Sequence, residues 1–181
     1  MVRREGEGGD GSIHFRLPSA NARPGTPLLS YVSSRARIAL MNVESGSFSE
    51  AVMVTVFVEL LRSGQSPWGS VEVMQEFGYL RGRTDVVVAA DDTVIAFEAK
   101  LYDWRRALDQ AYRNTCFAAE SYVLLPADRA RSVRKYLGEF EDRGVGLCCI
   151  EDGQFEVLLA SAVRPPVEPW LTAQVRELVG G

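Results

Sequence analysis

The stretch GRTDVVVAADDTVIAFEAK, residues 82–100, sets three chemically able side chains inside apolar runs: Asp85, Glu98 and Lys100. Carboxylates ligate hard cations and move protons, and an ammonium can steady a developing negative charge or exchange a proton with water. Lysine is a marked choice here. Lys100 and Lys135 are the only lysines among 20 Lys and Arg residues. Lysine differs from arginine in being a compact point charge whose pKa shifts readily.

The elements around these residues set their geometry. Asp91-Asp92 reads as a tight turn between the strands RTDVVVAA and TVIAFEAK. With Ala90 facing Thr93, counting outward puts Asp85 opposite Glu98, with Cβ atoms roughly 4.5–5.5 Å apart. Glu98 and Lys100, two apart on one strand, are expected to share a face. Like charges opposed on a half-buried sheet are destabilising. A divalent cation between them, with an ammonium beside it, offsets that repulsion. The bland alternative is an Asp at a solvated strand end and an exposed Glu98–Lys100 ion pair. The apolar run before Glu98 holds no other charge, which favours the chemical reading.

The remaining elements follow from periodicity and punctuation. SGSFSEAVMVTVFVELLRSG predicts a buried helix capped by Ser47 or Ser49, with Glu50 in its first turn and Gly64 as its stop. SVEVMQEF is a first strand. DWRRALDQAYRNTCFAAE predicts a helix with Asp103 as N-cap and a packed stripe of Trp104, Ala107, Leu108, Ala111, Thr115 and Ala118. SYVLLP is a short buried strand ended by Pro126. ADRARSVRKYLGEFEDRG predicts one amphipathic helix stopped by Gly144. VGLCCI and FEVLLAS are strands around the turn Glu151-Asp152-Gly153, and RPPVEPWLTAQVRELVGG is a proline-broken linker with a terminal helix. Residues 1–27, rich in Gly, Pro and charge, read as a flexible leader; the period of 28–43 is ambiguous. Residues 28–181 are expected to form a single α/β domain with a mixed sheet flanked by helices.

Composition narrows the function. The chain of 181 residues is 46% hydrophobic and 24% charged, ordinary for a globular protein. A net charge of −4 argues against a polyanion binder held by bulk charge, though Arg81, Arg83, Arg105, Arg106 and Arg113 could form a local basic rim. Cys116, Cys148 and Cys149 have no metal or disulfide spacing, and the one histidine, His14, leaves no multi-His site. Buried thiols, no apolar run of the roughly 20 residues that span a bilayer and no apolar segment after the first arginines give the expectation of a cytoplasmic protein without a membrane partner.

At these residues the sequence resembles the PD-(D/E)XK nuclease superfamily, the restriction-endonuclease-like fold, over about residues 46–126. That family's core is helix, three antiparallel strands, helix, strand. Its motif is an Asp at the start of the second core strand, here Asp85, and Glu-x-Lys at the end of the third, here Glu98-Ala99-Lys100. The family's Pro before the Asp is replaced by Thr84. A Glu on the first helix corresponds to Glu50, with Glu59 the rival. A Gln on the helix after the motif corresponds to Gln110, but the Tyr that often follows is replaced by Asn114.

The resemblance implies hydrolysis of nucleic-acid phosphodiesters, DNA ahead of RNA, with Mg²⁺ or Mn²⁺, in repair, recombination or restriction. It implies that Asp85 and Glu98 hold the metal with the Ala99 carbonyl as a third oxygen. Lys100 would orient or deprotonate the attacking water, or stabilise the transition state, and Glu50 would hold a water or a second ion. Arg106, Gln110 and Arg113 share a helix face able to meet phosphates, with Arg83 nearby. Tyr102 and Trp104 could stack on bases, Trp104 serving also as a core anchor. A homodimer would suit an enzyme that cuts both strands. Two other readings stay open: a nuclease-like domain that no longer cuts and serves as a nucleic-acid-binding or assembly module, and an α/β protein whose acidic pair is structural.

The choice of lysine gives a first test. If Lys100 positions or deprotonates water, Lys100→Arg keeps the fold but lowers cleavage by at least about 10²-fold, because guanidinium is planar, bulkier and does not deprotonate. Single-turnover cleavage checks this; near-wild-type rates would make Lys100 a generic cation.

Overall fold

The computed structural model describes residues 49–69, 71–151 and 153–180. The expected leader at 1–27, the segment 28–43 and His14 lie outside them. Helix α1 (Glu50–Arg62) is followed by strands β1 (Glu72–Tyr79), β2 (Gly82–Ala90) and β3 (Thr93–Ala99). Then come helix α2 (Trp104–Asn114), strand β4 (Glu120–Pro126), helices α3 (Ala127–Val133) and α4 (Leu137–Glu141), strands β5 (Gly146–Glu151) and β6 (Gln154–Leu159), and helix α5 (Pro169–Val179). The strands form one mixed sheet in the order β1-β2-β3-β4-β5-β6. β1, β2 and β3 pair antiparallel, β3, β4 and β5 parallel, and β5 and β6 antiparallel.

Both faces of the sheet are covered, which is why the central strands read as unbroken apolar runs. On one face Met53, Phe57, Val58 and Leu61 of α1 pack on Val86, Val88, Ile95, Phe97 and Leu124. On the other, Ala107, Leu108 and Ala111 of α2 join α3, α4 and the inner residues of β4 and β5. Beside them Leu171 and Val175 of α5 cover Phe77, Val87, Val94 and Ala96. α1 starts at Ser49, whose hydroxyl accepts the Val52 amide at 3.2 Å. Past its end Gly64 takes a φ of 71°, where a side chain would be strained. No described helix is long and apolar enough to cross a membrane.

The β2–β3 register is the one counted from the turn: Ala90 faces Thr93 and Val86 faces Phe97. The pairing stops there: Asp85 and Glu98, one step further out, do not pair, and the Asp85 side chain instead accepts the Ala99 N–H. Near this point the strand alternation slips. Glu76 of β1, between the pairs Gln75–Val86 and Phe77–Thr84, has a φ of 57°. Met74 and Phe77, three apart, both pack toward α5. Val87 does so too, while Thr84, three before it, bonds to α2. The slip turns Thr84 inward and takes Asp85 out of the regular pleat.

Two expectations fail. α2 stops at Asn114, so Thr115 and Ala118 lie beyond it and the buried stripe is Ala107, Leu108, Ala111 and Asn114. The predicted helix after Pro126 is broken into α3, a 3₁₀ turn at Arg134–Tyr136 and α4. Ala127, Ala130 and Val133 form the buried face of α3, whereas no residue of the 3₁₀ turn is buried, so the apolar stripe does not run on through it.

The tightest packing near the sheet centre lies at Gly146. A Cβ there would meet the Tyr122 ring and come within 2.8 Å of the Leu159 carbonyl oxygen. Tyr122 is stacked on Phe97 and cannot easily give way. Gly146→Ala is expected to destabilise by about 1–3 kcal/mol, the range for overpacking. Gly138→Ala, in open space on α4, should be neutral or stabilise by up to about 1 kcal/mol. Urea unfolding of the two variants checks both.

Candidate functional site

The candidate residues gather where β2 starts and β3 ends, beside the N-termini of α1 and α2. Asp85 accepts the backbone N–H of Ala99 at 2.9 Å through Oδ2. Lys100 follows the last residue of β3, its amide bonded to the Leu124 carbonyl at 3.1 Å. Its Nζ donates to the Ala99 carbonyl at 2.9 Å and to Glu50 Oε2 at 3.1 Å, and lies 3.9 Å from Asp85 Oδ2. Glu50 also accepts the Leu101 amide at 3.3 Å. The first turn of α1 thus delivers the partner of Lys100, as a carboxylate at a helix N-terminus favours. Glu59 makes no such contact.

Glu98 is placed differently. It is fully buried. Its Oε1 accepts from Asn114 Nδ2 at 2.7 Å, and its Oε2 has no hydrogen-bond partner. Burial pushes the Glu98 carboxyl up to about 8; the Asn114 bond opposes the rise and the charge of Asp85 adds to it. No ion pair joins Glu98 to Lys100 among the described residues, and the shared face expected of them is corrected. β3 ends at Ala99, so its two-residue alternation does not carry on to Lys100. Glu98 turns to α2, whereas Lys100 turns to α1.

Asn114 is the residue that reasoning from sequence missed. In the sequence it stands out only as the residue where the resembled family has Tyr. It is buried, and its Oδ1 accepts from the Tyr79 hydroxyl at 2.8 Å and the Thr84 hydroxyl at 2.9 Å. Burial pushes the Tyr79 phenol up to about 12. The available signal was a polar residue at the i+3 position after Ala111, in line with the apolar stripe of α2.

The other candidates divide. Gln110 is partly buried and its Oε1 is a buried acceptor without a partner. Arg106 and Arg113 are exposed on α2 and make no ion pair among the described residues. Arg81 is paired with Glu168 at 2.8 Å, Arg83 with Glu76 at 3.6 Å and Arg105 with Glu139 at 3.1 Å. Trp104 stacks on Tyr136 and Phe140, a core anchor, while Tyr102 is exposed with the Arg129 guanidinium 4.9 Å from its ring centre. All three cysteines are buried free thiols.

The donor set suits a hard cation. Among the described residues no group of three or more His, Cys, Asp or Glu side chains is disposed to hold a metal ion. Mg²⁺, however, is commonly held by one or two carboxylates and keeps several waters. Asp85 and the unpartnered Glu98 Oε2, with the Ala99 carbonyl, are hard oxygen donors of that kind. A buried acceptor without a donor is costly, and a cation beside it would remove that cost.

No family model matches the chain, and no curated protein matches it. Among solved structures it is similar to a protein of unknown function from Silicibacter pomeroyi, with a TM-score of 0.54 and 10% identity, covering 74% of this chain and 86% of that one. At that identity the likeness shows the fold alone: an α/β architecture, here with a six-stranded mixed sheet flanked by helices.

The raised Glu98 fixes a pH dependence. Folded Glu98 keeps its proton up to about pH 8, whereas the unfolded chain releases it near 4.5. Its contribution to stability is therefore fully present below pH 4.5 and is lost as pH rises toward 8. In chelator, the melting temperature of the wild type should fall across this window and that of Glu98→Gln should fall less. Added Mn²⁺ should flatten the wild-type slope, since a cation favours the carboxylate. Thermal melts from pH 5 to 9 check all three.

Proposed function

We propose that this chain is a divalent-metal-dependent nuclease with a restriction-endonuclease-like core, acting on nucleic acid, DNA ahead of RNA. The observation that carries the reading is that Asp85, Glu98 and Lys100 lie at one end of the β2–β3 hairpin, near enough for the charges of Asp85 and Lys100 to act on Glu98, with Glu98 Oε2 buried and unpartnered. The order α1-β1-β2-β3-α2-β4 supports it, as does the resemblance of the Asp85 and Glu98-Ala99-Lys100 motif.

Mg²⁺ or Mn²⁺, when bound, lowers the pKa of a water and offsets charge on the scissile phosphate. Asp85, Glu98 and the Ala99 carbonyl would hold it. Lys100 presents its ammonium 3.9 Å from Asp85, where it can orient the attacking water or steady the charge that builds on the phosphate oxygens. Glu50 holds Lys100 in place from α1. Arg106 and Arg113 offer exposed guanidiniums to the phosphate backbone, contacts that position without reading sequence.

The test is incubation with linear, circular, branched and single-stranded DNA, and with RNA, in Mg²⁺ or Mn²⁺. Cleavage by the wild type should stop in chelator. It should fall by at least about 10²-fold in Asp85→Asn, the scale of losing one electrostatic stabiliser. Nucleic-acid binding without cleavage in any metal would favour a non-cutting module. A wild type that binds no divalent ion, even with nucleic acid present, would sink the reading.

A further inference from the structure

Asn114 carries a role of its own. Its side chain is 1% exposed and connects three strands. Two hydroxyls, of Tyr79 on β1 and Thr84 on β2, converge on Oδ1 at 2.8 and 2.9 Å. With Oδ1 accepting from both, Nδ2 faces β3 and donates to Glu98 Oε1 at 2.7 Å. The other carboxyl oxygen, Oε2, is buried and has no partner.

We infer that Asn114 is a positioning residue for Glu98. Its amide occupies Oε1, fixes the plane of the carboxylate and leaves Oε2 as the single oxygen offered to a divalent cation. The inference rests on the metal-dependent reading above and deepens it. A network that served stability alone would satisfy every member, because a half-satisfied buried polar network is worse than an apolar one. Here the donors stop one oxygen short, on the carboxylate that the metal reading requires. Hydrogen-bond partners of metal ligands orient them, and removing such a partner typically weakens metal affinity about 10- to 100-fold.

The test is Mn²⁺ binding by titration calorimetry on the full chain, without nucleic acid, at a temperature where circular dichroism shows each variant folded. Asn114→Ala should weaken Mn²⁺ about 10- to 100-fold. Thr84→Val, which keeps the Tyr79 anchor, should weaken it by less. Ser121→Ala is the control for lost stability. Ser121 bonds the Ala111 carbonyl of the same helix at 2.7 Å without touching Glu98. This variant should lower the melting temperature and leave Mn²⁺ affinity unchanged. Asn114→Ala affinity within about twofold of wild type, far below the scale for a ligand-orienting partner, would overturn the inference while leaving the nuclease reading intact. So would an equal loss of affinity in Ser121→Ala. If Asn114→Ala does not fold, Thr84→Val decides, and unchanged affinity there overturns the inference. A wild type that binds no Mn²⁺ would overturn both readings together.

Discussion

A carboxyl with no exposure to water, in the middle of a sheet covered on both faces, is the constraint around which the rest of this structure is arranged. Glu98 bonds to α2 and lies within reach of the Asp85 charge. Water cannot solvate its charge, so the chain has to supply partners or leave the acid protonated. It supplies one donor, Asn114, and leaves the second oxygen bare. That single donor constrains several elements at once. α2 ends at Asn114. Thr84 must face inward, which the slip of β1 and β2 at Glu76 allows. Tyr79 must reach across from β1, and does so with its ring packed on Phe77 and Phe117.

The same region separates its charges. Lys100 and Glu50 form a half-exposed pair on the α1 side, while Glu98 lies dry on the α2 side. Asp85 stands between, one oxygen fixed by the Ala99 amide. A half-exposed ion pair held from α1 and a dry carboxyl held from α2 are thus kept apart within a few residues of chain.

Sheet topology explains how such residues meet. An antiparallel hairpin fixes register from its turn outward, so Asp91-Asp92 governs the position of Asp85 and Glu98 at the far end. A parallel pair needs a crossover, and α2 is that crossover between β3 and β4. It begins at Trp104, four residues after Lys100, and ends on Asn114 against Glu98. Arg106 and Arg113 are exposed on the same helix.

The sequence by itself determined the order of the strands and main helices, the two-residue turn, the β2–β3 register counted from it as far as Val86 and Phe97, and the cap at Asp103. These are local: they follow from alternation, turn chemistry and capping residues within a few positions of one another. It marked Glu50 over Glu59 for the same reason, since only a first-turn residue stands at the helix end. Tertiary structure alone decided where Lys100 points, because alternation stops where the strand stops. It decided the place of Asn114, whose three partners come from three separate strands and leave no periodic trace. It decided the break after α3, where the chain passes through a 3₁₀ turn none of whose residues is buried. And it decided that one oxygen of Glu98 is left bare, since burial and hydrogen-bond satisfaction are properties of surroundings assembled from the whole chain.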